Sequence, residues 1–183
     1  INTLKYLTKL GPSYFKPQPP ALANYTTGEL MGSTSEKIAE KFGVSRLDQD
    51  EFTLRSHSLA FKAHQENLYQ NEIFPVEGNI MENNIRSNLN LDKLAKLKPS
   101  FKKDGTHTAA NSSGLTDGAT SCLISSEEKA KELNIKPLGF IEDSVFVGTD
   151  PYQEMLLGPA YAIPKLLKRN NLKLSDIDVF EIH

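Results

Sequence analysis

The sequence is poor in the residues that build disulfide frameworks and metal centres. It has one cysteine, Cys122, and four histidines among 183 residues. A single cysteine excludes an internal disulfide and is typical of a reducing compartment. Two histidines share one predicted helix, His57 and His64, but they are seven residues apart, whereas helical metal pairs are usually about four apart. We therefore expect no metal site and interpret both as ordinary boundary histidines.

The sequence also lacks a long apolar run and a dominant charge. No apolar stretch reaches the length of a transmembrane helix. Its 21 basic and 23 acidic residues give a formal net charge of −2, so we expect no nucleic-acid partner. The first residues lack the apolar core and cleavage site of a secretory signal, so we do not expect secretion. Ile1 at the start and EIH at the end suggest a fragment of a longer protein.

Residues 1–10 place an apolar residue at every third position, with two lysines on the opposite face. This spacing predicts a short amphipathic helix. Such a helix packs on the core of its own protein, or it contacts a membrane surface or a partner. Prolines at positions 12, 17, 19 and 20 then predict an extended linker.

Two helices are predicted in the next part of the chain. The first runs from Ser33 to Gly43, with Ser33 and Glu36 at capping-box spacing and the glycine as its stop. The second begins at Ser45, with Asp48 three residues on and further acidic residues in its first turns. Its predicted apolar face consists of Phe52, Leu59, Ala60 and Ala63.

The remaining pattern predicts an α/β order. Strands are expected at residues 73–76, 119–124, 138–147 and 179–182, and short helices at 91–97 and from Ser125 through Leu133. Asn134 is a plausible left-handed stop. A later helix starts near Pro159, and Pro164 implies that it is kinked or begins further on.

Cys122 lies inside the predicted strand ATSCLI, residues 119–124. Burial among apolar side chains raises the pKa of a thiol and disfavours the reactive thiolate. We therefore interpret Cys122 as a structural cysteine and not as a nucleophile.

Residues 105–118, GTHTAANSSGLTDG, combine small, polar and turn-forming side chains just before that strand. Either they form a turn that caps the next element, or they let the backbone approach a ligand closely. A lysine cluster precedes them, and it is either a solvated face or a surface that attracts phosphates. The cluster consists of Lys93, Lys96, Lys98, Lys102 and Lys103.

Residues 108–119, TAANSSGLTDGA, resemble the TAxNSSxxTDGA stretch of thiolases, specifically the degradative 3-ketoacyl-coenzyme A thiolases. Residues 31–63, 94–101, 155–164 and 176–183 resemble other segments of that family. The likeness extends to the subfamily of trifunctional-enzyme β subunits, which carry a histidine where most thiolases have Asn in an NEAF motif. His183 matches that histidine.

The resemblance implies an α/β, thiolase-like fold of layered αβαβα type. The predicted parts are an amphipathic helix and linker at 1–24, the loop domain at 25–107, the end of the N-terminal domain at 108–134, and the start of the C-terminal domain at 135–183. The implied reaction is thiolytic cleavage of 3-ketoacyl-coenzyme A through an acyl-cysteine. The family's nucleophile would lie upstream of Ile1, and its base histidine and second cysteine downstream of His183. The fragment by itself is therefore expected to be inactive.

Four residues match family site positions. His183 matches the residue that orients an oxyanion-hole water; from the sequence alone it is a site residue or a polar strand end. Ser113 matches a serine that hydrogen-bonds the pantetheine of coenzyme A, and Phe101 and Met31 match positions lining the substrate channel. Leu30 replaces a histidine of many biosynthetic thiolases, which argues against short-chain acetoacetyl specificity. His107 replaces the usual apolar residue of GTVTA, and the sequence offers no reason for it.

The resemblance further implies coenzyme A as a co-substrate, with no covalently bound cofactor. Implied partners are acyl-coenzyme A, a second thiolase subunit in a homodimer, and a hydratase/dehydrogenase α subunit. The expected location is the mitochondrial matrix or inner-membrane surface in a eukaryote, with residues 1–10 as the peripheral contact, or the cytoplasm in a bacterium. The alternatives are a non-catalytic acyl-coenzyme A-binding or structural subunit, and a biosynthetic acetoacetyl-coenzyme A thiolase.

Overall fold

The computed structural model describes residues 11, 16–17, 22–75, 77–78, 84–116 and 119–183. The helix predicted at residues 1–10 and most of the proline-rich linker lie outside these residues. The described helices are α1 (Met31–Phe42), α2 (Arg46–Gln65), α3 (Leu91–Ala95), α4 (Glu127–Glu132) and α5 (Gly158–Arg169), with 3₁₀ turns at Met155–Leu157 and Leu174–Asp176. None of them is long and apolar enough to cross a membrane.

Helix α1 is confirmed, but its predicted capping box is wrong. The helix begins at Met31, and Leu30 precedes it without any side-chain cap. Glu36 therefore lies beyond the first turn, and its buried carboxylate accepts a hydrogen bond from the His107 amide in another segment of the chain. The predicted stop is confirmed, since Gly43 has a left-handed φ of 65° and its amide closes the helix onto Ala39 and Glu40.

Helix α2 begins where it was predicted to begin. The Asp48 amide donates to Ser45 Oγ at 3.1 Å, and the Ser45 amide donates to Asp48 Oδ2 at 2.9 Å, which is a complete capping box. The predicted apolar face is wrong, because Phe52 is 68% exposed and the other members of that set are exposed or half-buried. The buried residues of α2 are instead Asp50 and Thr53, so the helix packs through a polar face.

Local capping chemistry also explains the two shortest helices. Asn90 caps α3 by accepting from the Lys93 amide at 2.9 Å, and Leu94 of α3 is fully buried. Ser126, one residue later than predicted, caps α4 by accepting from the Lys129 amide. Asn134 has a φ of 53°, which confirms it as the left-handed stop.

Helix α5 starts at Gly158 with Pro159 in its first turn, as favoured by the fixed φ of proline. Pro164 lies inside the helix, so the alternative that the helix begins further on is wrong. Asn170 is the C-cap, and Asn171 turns left-handed with a φ of 54°. A 3₁₀ turn follows at Leu174–Asp176.

The predicted strands are absent from the described residues. The only sheet-type pairing there is one antiparallel bridge between Ala23 and Leu30. Residues 73–75, 119–124, 138–147 and 179–182 are irregular, and residue 76 lies outside the described part. A strand requires a neighbouring strand to satisfy its amide and carbonyl groups, and these segments have none within the described residues.

The segment around Cys122 is exposed because the strand predicted there does not form. Leu123 is 80% exposed and Ile124 is 70% exposed, and the thiol of Cys122 is free and exposed. The prediction of a buried structural cysteine is therefore wrong for this structure. Its cause is the missing strand, since burial of ATSCLI depended on a sheet.

The C-terminal part is attached to α1 through a carboxylate. Glu154 accepts from Lys41 Nζ of α1 at 2.8 Å and from the Tyr161 hydroxyl of α5 at 2.7 Å. The hydrogen bond from Lys41 is the main reason that the pKa of the Glu154 carboxyl lies below its ordinary value. Asp143 similarly accepts from Arg169 and from Asn170 at the end of α5. These contacts connect α5 to α1 and to the extended segment before it.

Candidate functional site

The buried interior of the described part is mainly polar. Its buried apolar residues are Ala39, Leu94 and Ala130, whereas its buried polar residues are Thr34, Glu36, Asp50, Thr53 and Thr108. Burying polar groups costs free energy unless they are hydrogen-bonded. Most of these groups meet at residues 105–111, which are part of the stretch 105–118 singled out from the sequence.

Glu36 of α1 is the first anchor of that stretch. Its carboxylate accepts from the Thr106 amide at 2.9 Å, the His107 amide at 2.9 Å and the Thr106 hydroxyl at 3.1 Å. Burial raises the pKa of the Glu36 carboxyl, but the hydrogen bonds from the two amides outweigh it, so the pKa lies below its ordinary value. Glu36 is therefore ionised at neutral pH.

Asp50 of α2 is the second anchor. One of its oxygens accepts from Arg46 Nε at 2.7 Å, and the other accepts from Asn111 Nδ2 at 3.2 Å. Asn111 also accepts from the Thr108 amide at 2.6 Å and donates to the Thr106 carbonyl at 3.1 Å. The asparagine thus folds residues 106–111 into a compact turn and ties that turn to α2.

His107, unexplained by the sequence, is part of the same network. Its Nε2 lies 2.7 Å from Ser35 Oγ, and its Nδ1 lies 3.3 Å from Glu36 Oε2. A carboxylate only accepts, so Nδ1 carries the proton and Nε2 accepts from the Ser35 hydroxyl in the neutral imidazole. The side chain is 14% exposed. His107 therefore fastens the stretch to α1 and replaces apolar packing with hydrogen bonds.

The turn held in this way forms one wall of an open cleft of ≈ 930 Å³. The opposite wall comes from α2 and from residues 84–89. The lining combines apolar, polar and cationic side chains: Phe52, Thr53, Ser56, His57, Asn84, Arg86, Asn88, Leu89, Leu97, Ala109, Ala110, Asn111, Ser112, Ser113, Gly114 and Thr116. A mainly apolar concavity with a few polar groups is the usual form of a small-molecule site.

Two lining residues of the opposite wall contact each other. His57 Nδ1 accepts from the Arg86 amide at 3.1 Å, so the proton of the neutral imidazole is on Nε2. A second cavity of ≈ 560 Å³ shares Ser56, His57 and Asn84 with the cleft. His57 thus lies between two cavities, and the described residues contain no group of three or more potential metal ligands.

The structure brings only some of the expected site residues to the cleft. Ser113 is in its wall. Phe101 lies elsewhere, with its ring so close to Gly32 that a Cβ there would collide with it, and Gly32 follows Met31 directly. Met31 is 45% exposed and does not line the cleft.

His183 is exposed in an irregular segment and is not among the cleft residues. The expectation that it ends a buried strand is therefore wrong for this structure, for the reason given above for the sheet. The role that the family resemblance implies for His183 stays a prediction.

None of the five clustered lysines is among the cleft-lining residues. Lys93 Nζ donates to the Asn88 carbonyl at 2.8 Å, and Lys102 Nζ donates to Glu40 at 2.9 Å. Attraction of phosphates by this cluster stays a prediction. The cation that does line the cleft, Arg86, was not singled out from the sequence.

Glu36 and Asp50 were missed as functional candidates, although their positions were visible. From the sequence, Glu36 was assigned to a capping box and Asp50 to the acidic first turns of α2. Apolar periodicity locates a hydrophobic face, but it gives no signal for a carboxylate that is buried against backbone amides. Only the three-dimensional proximity of α1, α2 and residues 105–111 reveals them.

Comparison with known proteins matches nearly the whole chain to one family. Residues 15–128 match the model described as thiolase, N-terminal domain, and residues 135–183 match the model described as thiolase, C-terminal domain.

Individual relatives agree with these matches. The chain is 45% identical to the mitochondrial trifunctional enzyme subunit beta of Bos taurus, over 98% of this chain and 39% of that protein. It is 43% identical to the 3-ketoacyl-CoA thiolase of Yersinia enterocolitica, over 98% of this chain and 43% of that protein. The solved human mitochondrial 3-ketoacyl-CoA thiolase in complex with CoA is 35% identical and superposes with a TM-score of 0.79, covering 86% of this chain and 41% of that one. The chain thus spans about two fifths of the length of these relatives.

Proposed function

The chain belongs to the thiolase family, and from that premise we propose that it forms part of a 3-ketoacyl-CoA thiolase of fatty-acid β-oxidation. The observation that carries the proposal is the family's TAxNSSxxTDGA stretch, residues 108–119 here, which supplies Ser113 to the wall of a cleft. The 45% identity to a trifunctional enzyme subunit beta supports the degradative subfamily.

In the proposed reaction a cysteine thiolate attacks the 3-keto carbon of the substrate. The bond between C2 and C3 then breaks, acetyl-CoA leaves after its enolate takes up a proton, and an acyl-cysteine remains. The thiol of free CoA takes the acyl group and releases the cysteine, so the kinetics are ping-pong. We propose that the nucleophile is a family cysteine outside residues 1–183, and that these residues by themselves are inactive.

The chain's own contribution is to bind and orient coenzyme A. Ser113 in the cleft wall is suited to hydrogen-bond the pantetheine, and the Arg86 guanidinium on the opposite wall is suited to a phosphate. Apolar lining from Phe52 and Leu97 accommodates the uncharged part of such a ligand. Phe101, whose ring lies against Gly32, and Met31, the residue before Gly32, are proposed to contact the acyl portion. His183 is proposed to orient the oxyanion-hole water.

The proposed assembly is a thiolase dimer that docks with a hydratase/dehydrogenase α subunit. The support is the name of the Bos taurus relative, a subunit of a trifunctional enzyme of mitochondria. The proposed location is accordingly mitochondrial in a eukaryote and cytoplasmic in a bacterium. Membrane contact through residues 1–10 belongs to the same proposal, and those residues lie outside the described part.

The test is to incubate the full-length protein with a 3-ketoacyl-CoA, with and without free CoA, and to identify the products by mass spectrometry. With free CoA we expect continued formation of acetyl-CoA and of an acyl-CoA shortened by one acetyl unit, in equal amounts. Without free CoA, no shortened acyl-CoA should form, and acetyl-CoA should stop at about one equivalent per active site. Binding of CoA without cleavage would favour a non-catalytic subunit. Cleavage of acetoacetyl-CoA alone would favour a biosynthetic thiolase.

Cys122 requires its own control, since its thiol is exposed in this structure. Peptide mapping after a single acylation, without free CoA, should find the acyl group on a cysteine other than Cys122. An acyl group trapped on Cys122, together with loss of turnover in Cys122→Ala, would overturn the proposed placement of the nucleophile.

A further inference from the structure

Two buried carboxylates hold the cleft wall without touching the cleft. The side chains of Glu36 on α1 and Asp50 on α2 are 6% and 4% exposed, and neither lines the cleft. Both hydrogen-bond to residues 106–111, and residues 109–114 are the wall itself. Any shift of this stretch relative to α1 or α2 therefore moves the wall.

Glu36 has the larger share of these contacts. It accepts from two consecutive backbone amides, Thr106 and His107, and additionally from the Thr106 hydroxyl. The Thr106 hydroxyl in turn accepts from Gln49 Nε2 of α2 at 2.8 Å. A single carboxylate on α1 thus fixes the backbone of the stretch and connects it to α2.

The Glu36 carboxylate lies so close to Gly105 that no side chain fits between them. A Cβ added at Gly105 would collide with the Glu36 carboxylate, and it would also lie 3.0 Å from Lys102 Cβ. Glycine is the residue that allows such an approach. The Gly105 backbone and the Glu36 side chain therefore specify each other's position.

We propose that Glu36 is a positioning residue for coenzyme A binding: it sets residues 106–107, and through them the wall that presents Ser113. This inference rests on the proposed function, because Ser113 is the ligand contact whose placement it concerns. Asp50 supports the far end of the stretch through Asn111. Neither carboxylate takes part in the chemistry.

Replacing Glu36 with glutamine tests the proposal. A carboxylate presents two accepting oxygens, whereas an amide presents one and directs an N–H₂ group at the donors of residues 106 and 107. The variant therefore loses at least one accepted bond and gains a clash between donors. The matched control is Glu40→Gln on the same helix, because Glu40 contacts the segment just before residue 105, through Lys102 at 2.9 Å, but is 73% exposed.

The measurement is the Kd of coenzyme A for the full-length protein by calorimetry, followed by KM for coenzyme A and kcat in thiolysis. Misplacing one ligand hydrogen bond should raise Kd and KM in Glu36→Gln at least about fivefold. Glu40→Gln should match the wild type, and kcat should stay within about threefold in both variants. A folded Glu36→Gln protein with unchanged Kd and KM would overturn the inference, even if its thermal stability is lowered.

Gly105→Ala is the second variant, and it tests the positioning role of Glu36 if Glu36→Gln does not fold. The added Cβ would collide with the Glu36 carboxylate, so that side chain or the backbone at residue 105 must move. Either movement disturbs the bonds from Glu36 to residues 106 and 107, so the variant should reproduce the higher Kd. Unchanged coenzyme A affinity in folded Gly105→Ala would also contradict the proposal.

If the wild-type protein itself neither binds coenzyme A nor cleaves a ketoacyl-CoA, the proposed function fails and this inference falls with it. If the wild type binds coenzyme A and cleaves a ketoacyl-CoA, but the Kd and KM of the variants are unchanged, only the positioning role of Glu36 is refuted.

Discussion

Glu36 is a buried carboxylate that is held in its charged form by amide hydrogen bonds. Its pKa lies below the ordinary value of 4.5, so the folded state binds the proton less readily than the unfolded chain. A carboxyl of this kind stabilises the fold above its unfolded pKa, and the contribution is lost as the pH falls through the folded pKa. The same bonds keep His107 in place.

We predict that Glu36→Gln lowers the free energy of unfolding at pH 7 by about 1–3 kcal/mol, the cost of leaving buried donors unsatisfied. The difference from the wild type should shrink as the pH is lowered below about 4.5, because the wild type then loses its charged acceptor as well. Urea denaturation of both full-length proteins at pH 7 and at pH 4 measures this. A difference that stays constant or widens toward acid would show that the Glu36 charge is not what stabilises the stretch.

His183 is predicted to act in turnover in the full-length protein. Replacing it with alanine should remove one donor contact to the oxyanion, made through a water, and typically costs ~3 kcal/mol, or roughly a hundredfold in kcat. His183→Asn should lose less, since Asn also donates and most thiolases carry it there. Steady-state kinetics of both variants provide the test. A kcat of His183→Ala within about threefold of the wild type, a difference under about 0.7 kcal/mol, would remove His183 from the site.

The helices were the most predictable parts of the chain because their ends are fixed by neighbouring residues. The residues at the helix ends act as the sequence indicated. Ser45 and Asp48 form a capping box, Gly43 and Asn134 are left-handed stops, and Pro159 lies in a first turn. The error at Ser33 has the same local origin, since α1 begins two residues earlier than its apparent cap. The burial of Asp50 and Glu36 was not predictable, because it depends on residues some 60 to 70 positions away.

The correct N-cap at Ser45 and the wrong one at Ser33 give a paired prediction for α2 and α1. Ser45→Ala should destabilise the protein by about 1 kcal/mol, the usual value for an N-cap serine. Ser33→Ala should change the free energy of unfolding by no more than about 0.5 kcal/mol, because Ser33 lies within the helix and alanine is the better helix former. Chemical denaturation of the two variants makes the comparison. Equal losses would indicate that the helix starts at Ser33 and not at Met31.

The described residues combine a hydrogen-bonded helical part with long irregular segments. The family and the α/β class were predictable from motifs such as TAANSSGLTDGA, because a motif is written in consecutive residues. The predicted sheet does not form within the described residues, because a strand needs partner strands for its backbone amides and carbonyls, and periodicity within one segment does not identify those partners. The exposure of Leu123, Ile124, Phe146 and Val179 follows directly from that lack of pairing.

The central claim is that residues 109–114 form a coenzyme A-binding wall in a thiolase, with Ser113 as its ligand contact. The most direct test is the steady-state thiolysis of a 3-ketoacyl-CoA by full-length Ser113→Ala, with coenzyme A as the varied substrate. The account predicts that KM for coenzyme A rises about fivefold or more, as expected for one lost hydrogen bond, while kcat stays within about threefold of the wild type. An unchanged KM for coenzyme A would contradict it.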